Sequence, residues 1–420
     1  MPATRRLFAR RGTTFTNGFV TTPLCCPSRS TILTGRYAHN TGVHTNSDAL
    51  RLDQGTTIER YLHDAGYQTG IVGKFLNSWP LDRDPPYFDR WAILHYGYLH
   101  TVWNVQGDPR TVDEYSTRFI ADRAVGDLRA FEAHEGTPWF LYVATTAPHD
   151  PWIPEARYAH APVPPLVKNP AMRERDLSDK PGWLRRSPHL PDAVVTATHD
   201  GQLRTLMSVD DLVARVFRTL DQLGETRTTL AVFMSDNGFL WGDHGLAGKR
   251  AGEIESGVRR SSGKRFPYPA SIRVPFLLRW PRHVRAGATD SRFVANVDLT
   301  PTFLDAAGIP PDQGVPLDGR SLLSHHTRDR LFFEYYRDRQ YSRVPSWDSI
   351  RTRAFQFVEY FGRGGKVTFR EYYDLKRDPF ELNNLLHDGD PANDPDVQRL
   401  ASEVRTEMRC AGANGAGACP

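Results

Sequence analysis

Cys25 and Arg29, four residues apart, are the side chains here whose types and spacing most readily do chemistry. They lie in Cys25-Cys26-Pro27-Ser28-Arg29-Ser30-Thr31-Ile32-Leu33-Thr34-Gly35-Arg36. Pro27 and Ser28 read as a helix opening and Gly35 as its stop. Cys25 then stands just before a helix N-terminus, where unpaired N–H groups and the macrodipole favour an anion. Arg29, one turn in, adds a forked cation suited to a tetrahedral oxyanion. On spacing alone, a buried cysteine pair leading into an ordinary surface helix fits equally well.

Three further groups sit where strands end, the edge at which open α/β sheets place their ligands. Lys74 closes the apolar run Gln68 to Phe75. His149 follows the continuous apolar stretch Trp139-Phe140-Leu141-Tyr142-Val143-Ala144, which reads as a buried parallel strand. Asp236 and Asn237 end the strand Thr229 to Ser235 with oxygen donors suited to calcium or magnesium and not to zinc. Each has a plainer reading: a solvated lysine, a structural histidine, an Asx-type turn.

The elements that must hold these groups alternate between strand and helix. Helical spacing is read for Met1 to Gly12, Arg51 to Tyr67, Asp113 to His134 and Thr196 to Leu223. Asp210 and Asp211 on the last of these read as solvated or packing residues. Ser78 to Gly107 is aromatic and irregular, and its rings fit either loop packing or stacking on a sugar. Ala161 to Pro191, rich in proline and charge, reads as a surface excursion beside the cleft. Thr300 is expected to cap a helix with Pro301 in its first turn. Leu331 to Tyr335, Ala354 to Tyr360 and Tyr372 to Leu375 suggest a small antiparallel sheet.

The 420 residues allow one large α/β domain and a smaller one. Lysine and arginine total 53 against 49 acidic residues, a formal charge of +4, which argues against a dedicated nucleic-acid binder. No apolar run reaches the length of a membrane span and no signal peptide is read at the start, so localisation stays open. Of four cysteines, Cys410 and Cys419 lie in a Gly/Ala-rich tail, as a small disulfide loop or as inert thiols.

The run from Cys25 to Arg36 resembles the sulfatase signature C-x-P-S-R-x-x-x-L-T-G-R at every fixed position. The doubled cysteine, Tyr37-Ala38-His39-Asn40, and Gly73-Lys74-Phe75-Leu76-Asn77 look most like the branch of N-acetylglucosamine-6-sulfatases and heparan endosulfatases. The resemblance implies that a formylglycine-generating enzyme oxidises Cys25 to formylglycine, the nucleophile, leaving Cys26 as a neighbour. It implies Ca2+, with Mg2+ as the other candidate, on Asp236, Asn237 and the modified Cys25. Arg29, Lys74 and His149 then contact the nucleophile and the sulfate. The catalytic lysine is Lys249, slightly preferred for its spacing from His244, or Lys264, spaced correctly to Ser271-Ile272-Arg273-Val274-Pro275. The stretch between those lysines, with Arg259 and Arg260, looks like an insertion.

By resemblance the fold is an alkaline-phosphatase-like α/β sandwich with a mostly parallel central sheet. Residues 1–325 are expected to form the catalytic domain, 326–405 a small α+β domain, and 406–420 a tail. Sulfatases normally begin with a buried strand ending in an Asp-Asp pair that binds the metal, and nothing in this sequence corresponds to it. The expectation is therefore a metal site short of two carboxylates and a sheet with unpaired edges, from a misplaced start or a lost strand. The implied substrate is a sulfated carbohydrate or aryl sulfate. A phosphonate or phosphate monoester hydrolase, or an inactive remnant that binds sulfated glycans, are the rival readings.

Overall fold

The computed structural model describes residues 1–134, 136–187, 190–246, 264–312, 314–338, 342–415 and 417–420. Its strands are β1 (Thr13–Phe19), β2 (Gln68–Lys74), β3 (Arg90–Leu94), β4 (Thr101–Val105), β5 (Asp108–Val112), β6 (Trp139–Ala144), β7 (Ala231–Met234), β8 (Phe276–Arg279) and β9 (Ala288–Ala295). β10 (Arg330–Tyr335), β11 (Ser346–Thr352), β12 (Phe355–Phe361) and β13 (Val367–Asp374) complete the set. The architecture is mixed α/β, in sheets ordered β5-β4-β3-β2-β6, β7-β8-β1-β9 and β10-β11-β12-β13.

The expected parallel core is present as β2–β3, β2–β6 and β1–β9, and the remaining pairs in these two sheets are antiparallel. The aromatic stretch expected to be irregular forms β3 and β4, which run with β5 as a meander. Short connections force that direction, because a parallel pair needs a long crossover. Trp79, Tyr98 and Trp103 are buried in it.

β6 and β7 depart most from their sequence reading. Both are apolar throughout, yet neither is fully buried: every residue of β7, and all of β6 except Ala144, keeps partial exposure. Among the described residues β6 pairs only with β2, and β7 only with β8. Each offers one open edge among the described residues. Side chains of the two strands still share one apolar cluster, Leu141 and Val143 with Ala231 and Phe233.

The helix carrying the signature runs Cys25–Thr34, so it begins at Cys25 itself, and every residue in it is buried. Gly35 ends it at φ +66°, where a Cβ would meet Pro301 at 2.9 Å. The helix is tied sideways: Asn296 Nδ2 donates to Ser28 Oγ at 3.0 Å and Thr300 Oγ1 to the Ile32 carbonyl at 2.9 Å. Thr300 is thus not a cap, because its helix, Leu299–Ala307, starts one residue earlier with Asp298 at the N-cap.

The antiparallel sheet β10–β13 packs its core directly against the rest: Phe332, Trp347 and Phe357 share a cluster with Phe19, Tyr37 and Phe266. The excursion 161–191 is anchored. His244 Nδ1 lies 2.6 Å from Glu174 Oε2, and buried Lys180 bonds Asp179 at 2.8 Å and the Leu382 carbonyl at 2.7 Å. Asp210 accepts from the Ala3 and Thr4 amides at 2.9 and 2.7 Å, fixing the N-terminal turn. Cys410 and Cys419 form a disulfide.

Candidate active site

Four elements deliver all of the side chains but Lys264, which stands in the segment before the helix Pro269–Ile272. The Cys25–Thr34 helix brings Cys25 and Arg29, β2 ends in Lys74, the loop after β6 carries His149, and the loop after β7 carries Asp236 and Asn237. Lys74 reaches this edge through a close strand approach: at Gly73, φ +109°, a Cβ would stand 1.9 Å from the Ala144 carbonyl oxygen. Only glycine fits there.

The sequence leaves the cysteine unmodified, so its Sγ marks the place of any oxidised product. Lys264 Nζ is 2.9 Å from Cys25 Sγ and 3.2 Å from His149 Nε2. Asn237 Oδ1 lies 3.6 Å from the same sulfur. Arg29 Nε donates to Asp236 Oδ2 at 2.8 Å, and its NH1 to the Lys74 carbonyl at 2.5 Å, with Tyr142 Oη at 3.5 Å. One guanidinium therefore touches β6, the end of β2 and the loop after β7.

Charge dominates this arrangement. Cys25 is 1% exposed, Lys74 3%, and Arg29 and Lys264 6% each. Burial by itself pushes the Cys25 thiol up, but the ammonium groups of Lys264 and Lys74 outweigh it and hold it well below the usual thiol range. Cys26, without that pairing, is pushed by burial up to about 12 and is inert as a nucleophile. Burial holds Lys74 below the ordinary lysine value. Burial would raise Asp236 too, yet Arg29, Lys74 and Lys264 keep its carboxylate below the ordinary range.

His149 is oriented by its neighbours: Nδ1 lies 3.0 Å from Asp150 Oδ1, and its carbonyl accepts from Tyr98 Oη at 2.5 Å. Burial and Lys264 both act to lower its pKa, but the bonds to Asp150 and Cys25 win and the net shift is upward. Tyr96, 57% exposed, tilts over the His149 ring at 5.7 Å between centroids.

Cys25, Arg29, Lys74, His149, Lys264, Asp236 and Asn237 thus converge, whereas Lys249, Arg259 and Arg260 lie outside the described residues. Sequence reasoning missed Tyr142, Tyr98 and Asn46, whose Oδ1 accepts from the Cys26 amide at 3.0 Å. It also missed Trp347, whose indole donates to the Arg265 carbonyl at 2.9 Å while the Arg265 amide bonds Pro23 at 3.1 Å, pinning the backbone beside Lys264. No spacing rule flags such partners, because they come from distant positions.

A hard dication takes six to eight oxygens. Asp236 and Asn237 have the right donor chemistry and point to the Cys25 side of the cleft, so they fit such an ion as two of its ligands. One Asp236 oxygen is shared with Arg29.

The sulfatase family model matches residues 1–309, and a model for the C-terminal region of N-sulphoglucosamine sulphohydrolase matches 257–409. A Sulf-1 homologue of Caenorhabditis elegans is 34% identical over 352 residues, covering 77% of this chain and 46% of that protein. This chain thus spans about half of that relative's length or less, with 29% for the Drosophila melanogaster homologue. An N-acetylglucosamine-6-O-sulfatase of Bacteroides thetaiotaomicron is 26% identical, covering 96% of this chain and 81% of that protein. A solved structure of a protein in complex with its substrate D-glucosamine-2-N,6-O-disulfate superposes with TM-score 0.77 at 25% identity, over 96% of this chain and 91% of that one. The phosphonate monoester hydrolase of Agrobacterium radiobacter shares the fold at TM-score 0.70 and 22% identity, over 97% and 90%. Sulfatases as a family generally use a formylglycine and a divalent metal. The signature helix, the strand-end cations and the matched length agree: this chain belongs to the sulfatase family.

Proposed function

We propose that this protein hydrolyses sulfate esters of a sulfated sugar, with Cys25 matured to formylglycine. The observation that carries the reading is Lys264 Nζ standing 2.9 Å from Cys25 Sγ and 3.2 Å from His149 Nε2, within a cluster of buried cations. Formylglycine supplies the nucleophilic hydrate. Ca2+, or Mg2+ in its place, would be held by Asp236 and Asn237 with oxygens from the matured Cys25, and would add positive charge beside the sulfate.

The chain's own residues do the rest. Arg29 and Lys74 hold the anionic ester and offset the charge that grows on its oxygens in the transition state. Lys264 steers the nucleophile and, with His149, donates a proton to the departing alcohol oxygen. Asp150 and Tyr98 keep the imidazole aimed. Tyr96 offers an exposed ring beside His149, where the sugar face packs. Cys25 is 1% exposed, so a formylglycine-generating enzyme must reach it before the helix packs. We assign catalysis to residues 1–325, with 326–405 supporting the backbone beside Lys264 through Trp347.

The sugar branch is supported by the glucosamine sulfatases and the disulfated glucosamine complex among the similar proteins. Turnover of matched 4-nitrophenyl sulfate and 4-nitrophenyl phosphate tests the reaction class. Faster sulfate hydrolysis is expected; faster phosphate hydrolysis would move the assignment to a phosphomonoesterase.

A further inference from the structure

A separate set of metal-ligating side chains lies where the C-terminal tail meets Ala38–Thr41, the short helix that follows the signature helix. Among the described residues, the donor atoms of His39, Cys410 and Cys419 all lie within 4.8 Å of one another. Cys410 Sγ stands 3.8 Å from His39 Nε2, and both cysteines are buried. On the far side of the ring, His39 Nδ1 faces Glu334 Oε2 at 3.1 Å, and the His39 amide donates to Glu334 Oε1 at 3.1 Å. A carboxylate on the far nitrogen is the partner that metal-ligating imidazoles usually carry, because it fixes the ring and raises its basicity. The disulfide is also not alone in holding the tail here. Asn40 Nδ2 donates to the Cys410 carbonyl at 2.9 Å, the Gly412 amide to Asp318 Oδ1 at 2.7 Å, and Arg320 NH2 to the Cys419 carbonyl at 2.9 Å.

We propose that, once the Cys410–Cys419 bond is reduced, the two thiolates and His39 Nε2 bind one Zn2+. A dithiol reductant supplies two electrons and two protons, becoming a disulfide as the bond breaks to leave two thiols. Zn2+ then replaces both thiol protons and the proton that Nε2 donates to the Cys410 carbonyl at 3.0 Å. Tetrahedral zinc, with sulfur at about 2.3 Å and nitrogen at about 2.0 Å, spaces its donors roughly 3.5–3.8 Å apart. Cys410 Sγ and His39 Nε2 already stand close to that spacing, and the two sulfurs reach it when their bond opens. The loop between the cysteines, residues 411–418, is glycine and alanine apart from Asn414, so it can widen by the small amount required. Two thiolates and an imidazole suit zinc and not calcium or magnesium, and the fourth position stays open to water. The tail is thus fixed beside the signature helix by a covalent bond in an oxidising compartment and by a metal in a reducing one.

The test is titration of Co2+, then Zn2+, into the full chain reduced with dithiothreitol and freed of it without oxygen. The oxidised chain, the reduced Cys410→Ser, Cys419→Ser double variant and the reduced His39→Gln variant are titrated beside it. All four keep Cys25 and Cys26, so an ion on those thiols would appear in the double variant too. The reduced chain should take up one Co2+ with a thiolate-to-cobalt charge-transfer band that the oxidised chain and the double variant lack. His39→Gln should bind Zn2+ at least about ten-fold more weakly, since losing even an outer partner of a ligand costs that much. The absence of a band in the reduced chain, or an equal band in the double variant, overturns the site. Unchanged Zn2+ affinity in His39→Gln overturns it as well, because the tail thiols would then bind without the ring. The comparison of reduced with oxidised chain needs no variant and stands even where a substitution impairs folding.

Discussion

The sheet β10–β13, whose strands carry Glu334, Asp348, Glu359 and Glu371, and the seam between β6 and β7, whose strands are apolar throughout, end in opposite states. In the first, Phe332, Trp347, Phe357 and Val358 are wholly buried, and each inner strand pairs on both edges. At the seam, Phe140, Leu141, Val232 and Phe233 stay partly exposed, each strand with one open edge among the described residues. Apolar character alone does not bury a strand; a partner on each side does. Besides the apolar cluster of Leu141, Val143, Ala231 and Phe233, a polar tie joins the seam: Arg29 reaches Asp236 past β7 and Tyr142 on β6. The proposed catalytic edge and the open edges of β6 and β7 are the same place.

Removing that tie should have the largest effect on activity. Arg29→Met leaves the Asp236 carboxylate without its partner, so we expect loss of sulfate hydrolysis by more than about 100-fold and of roughly 3 kcal/mol in stability. Urea unfolding and a sulfate-release assay check both; a stable, active variant would mean that the seam is held elsewhere. Next, matched substitutions measure the contrast itself. Phe357→Ala should cost about 4 kcal/mol, and Phe140→Ala about half as much, read from denaturation midpoints. Equal costs would show that β6 is as well covered as β12.

A smaller effect separates the regions by pH. In the filled sheet, burial pushes the Glu371 carboxyl up to about 7, against the opposing pull of Lys180 and the hydroxyls of Tyr360 and Tyr268. The folded state therefore holds this proton more tightly than the unfolded chain, whose carboxyl titrates near 4.5. Its contribution is present below pH 4.5 and is lost as pH rises through about 7, by up to ~3 kcal/mol. Glu371→Gln should flatten that part of the stability–pH curve, and an unchanged slope would assign it to other groups.

The sequence made legible what is local. The Cys25 helix with its Gly35 stop, the strand ends at Lys74 and Asp236, and the long helix to Leu223 follow from caps, punctuation and periodicity. The meander β3–β5 was hidden because its aromatic residues mask a period of two. The exposure of β6 and β7 was hidden because a continuous apolar run reports what a strand could bury, not what covers it. Within the site, the choice between Lys249 and Lys264 rested on spacing across an apparent insertion. Here it is Lys264 that stands on Cys25, with its backbone pinned by Trp347 some eighty residues downstream and by Pro23.

The most direct test of the central claim is release of sulfate from glucosamine 6-sulfate by the protein, produced with a formylglycine-generating enzyme, beside its Cys25→Ala variant. The account predicts steady turnover by the first and none above background by the second. Unreduced turnover in Cys25→Ala would contradict it, since the proposed nucleophile is then gone.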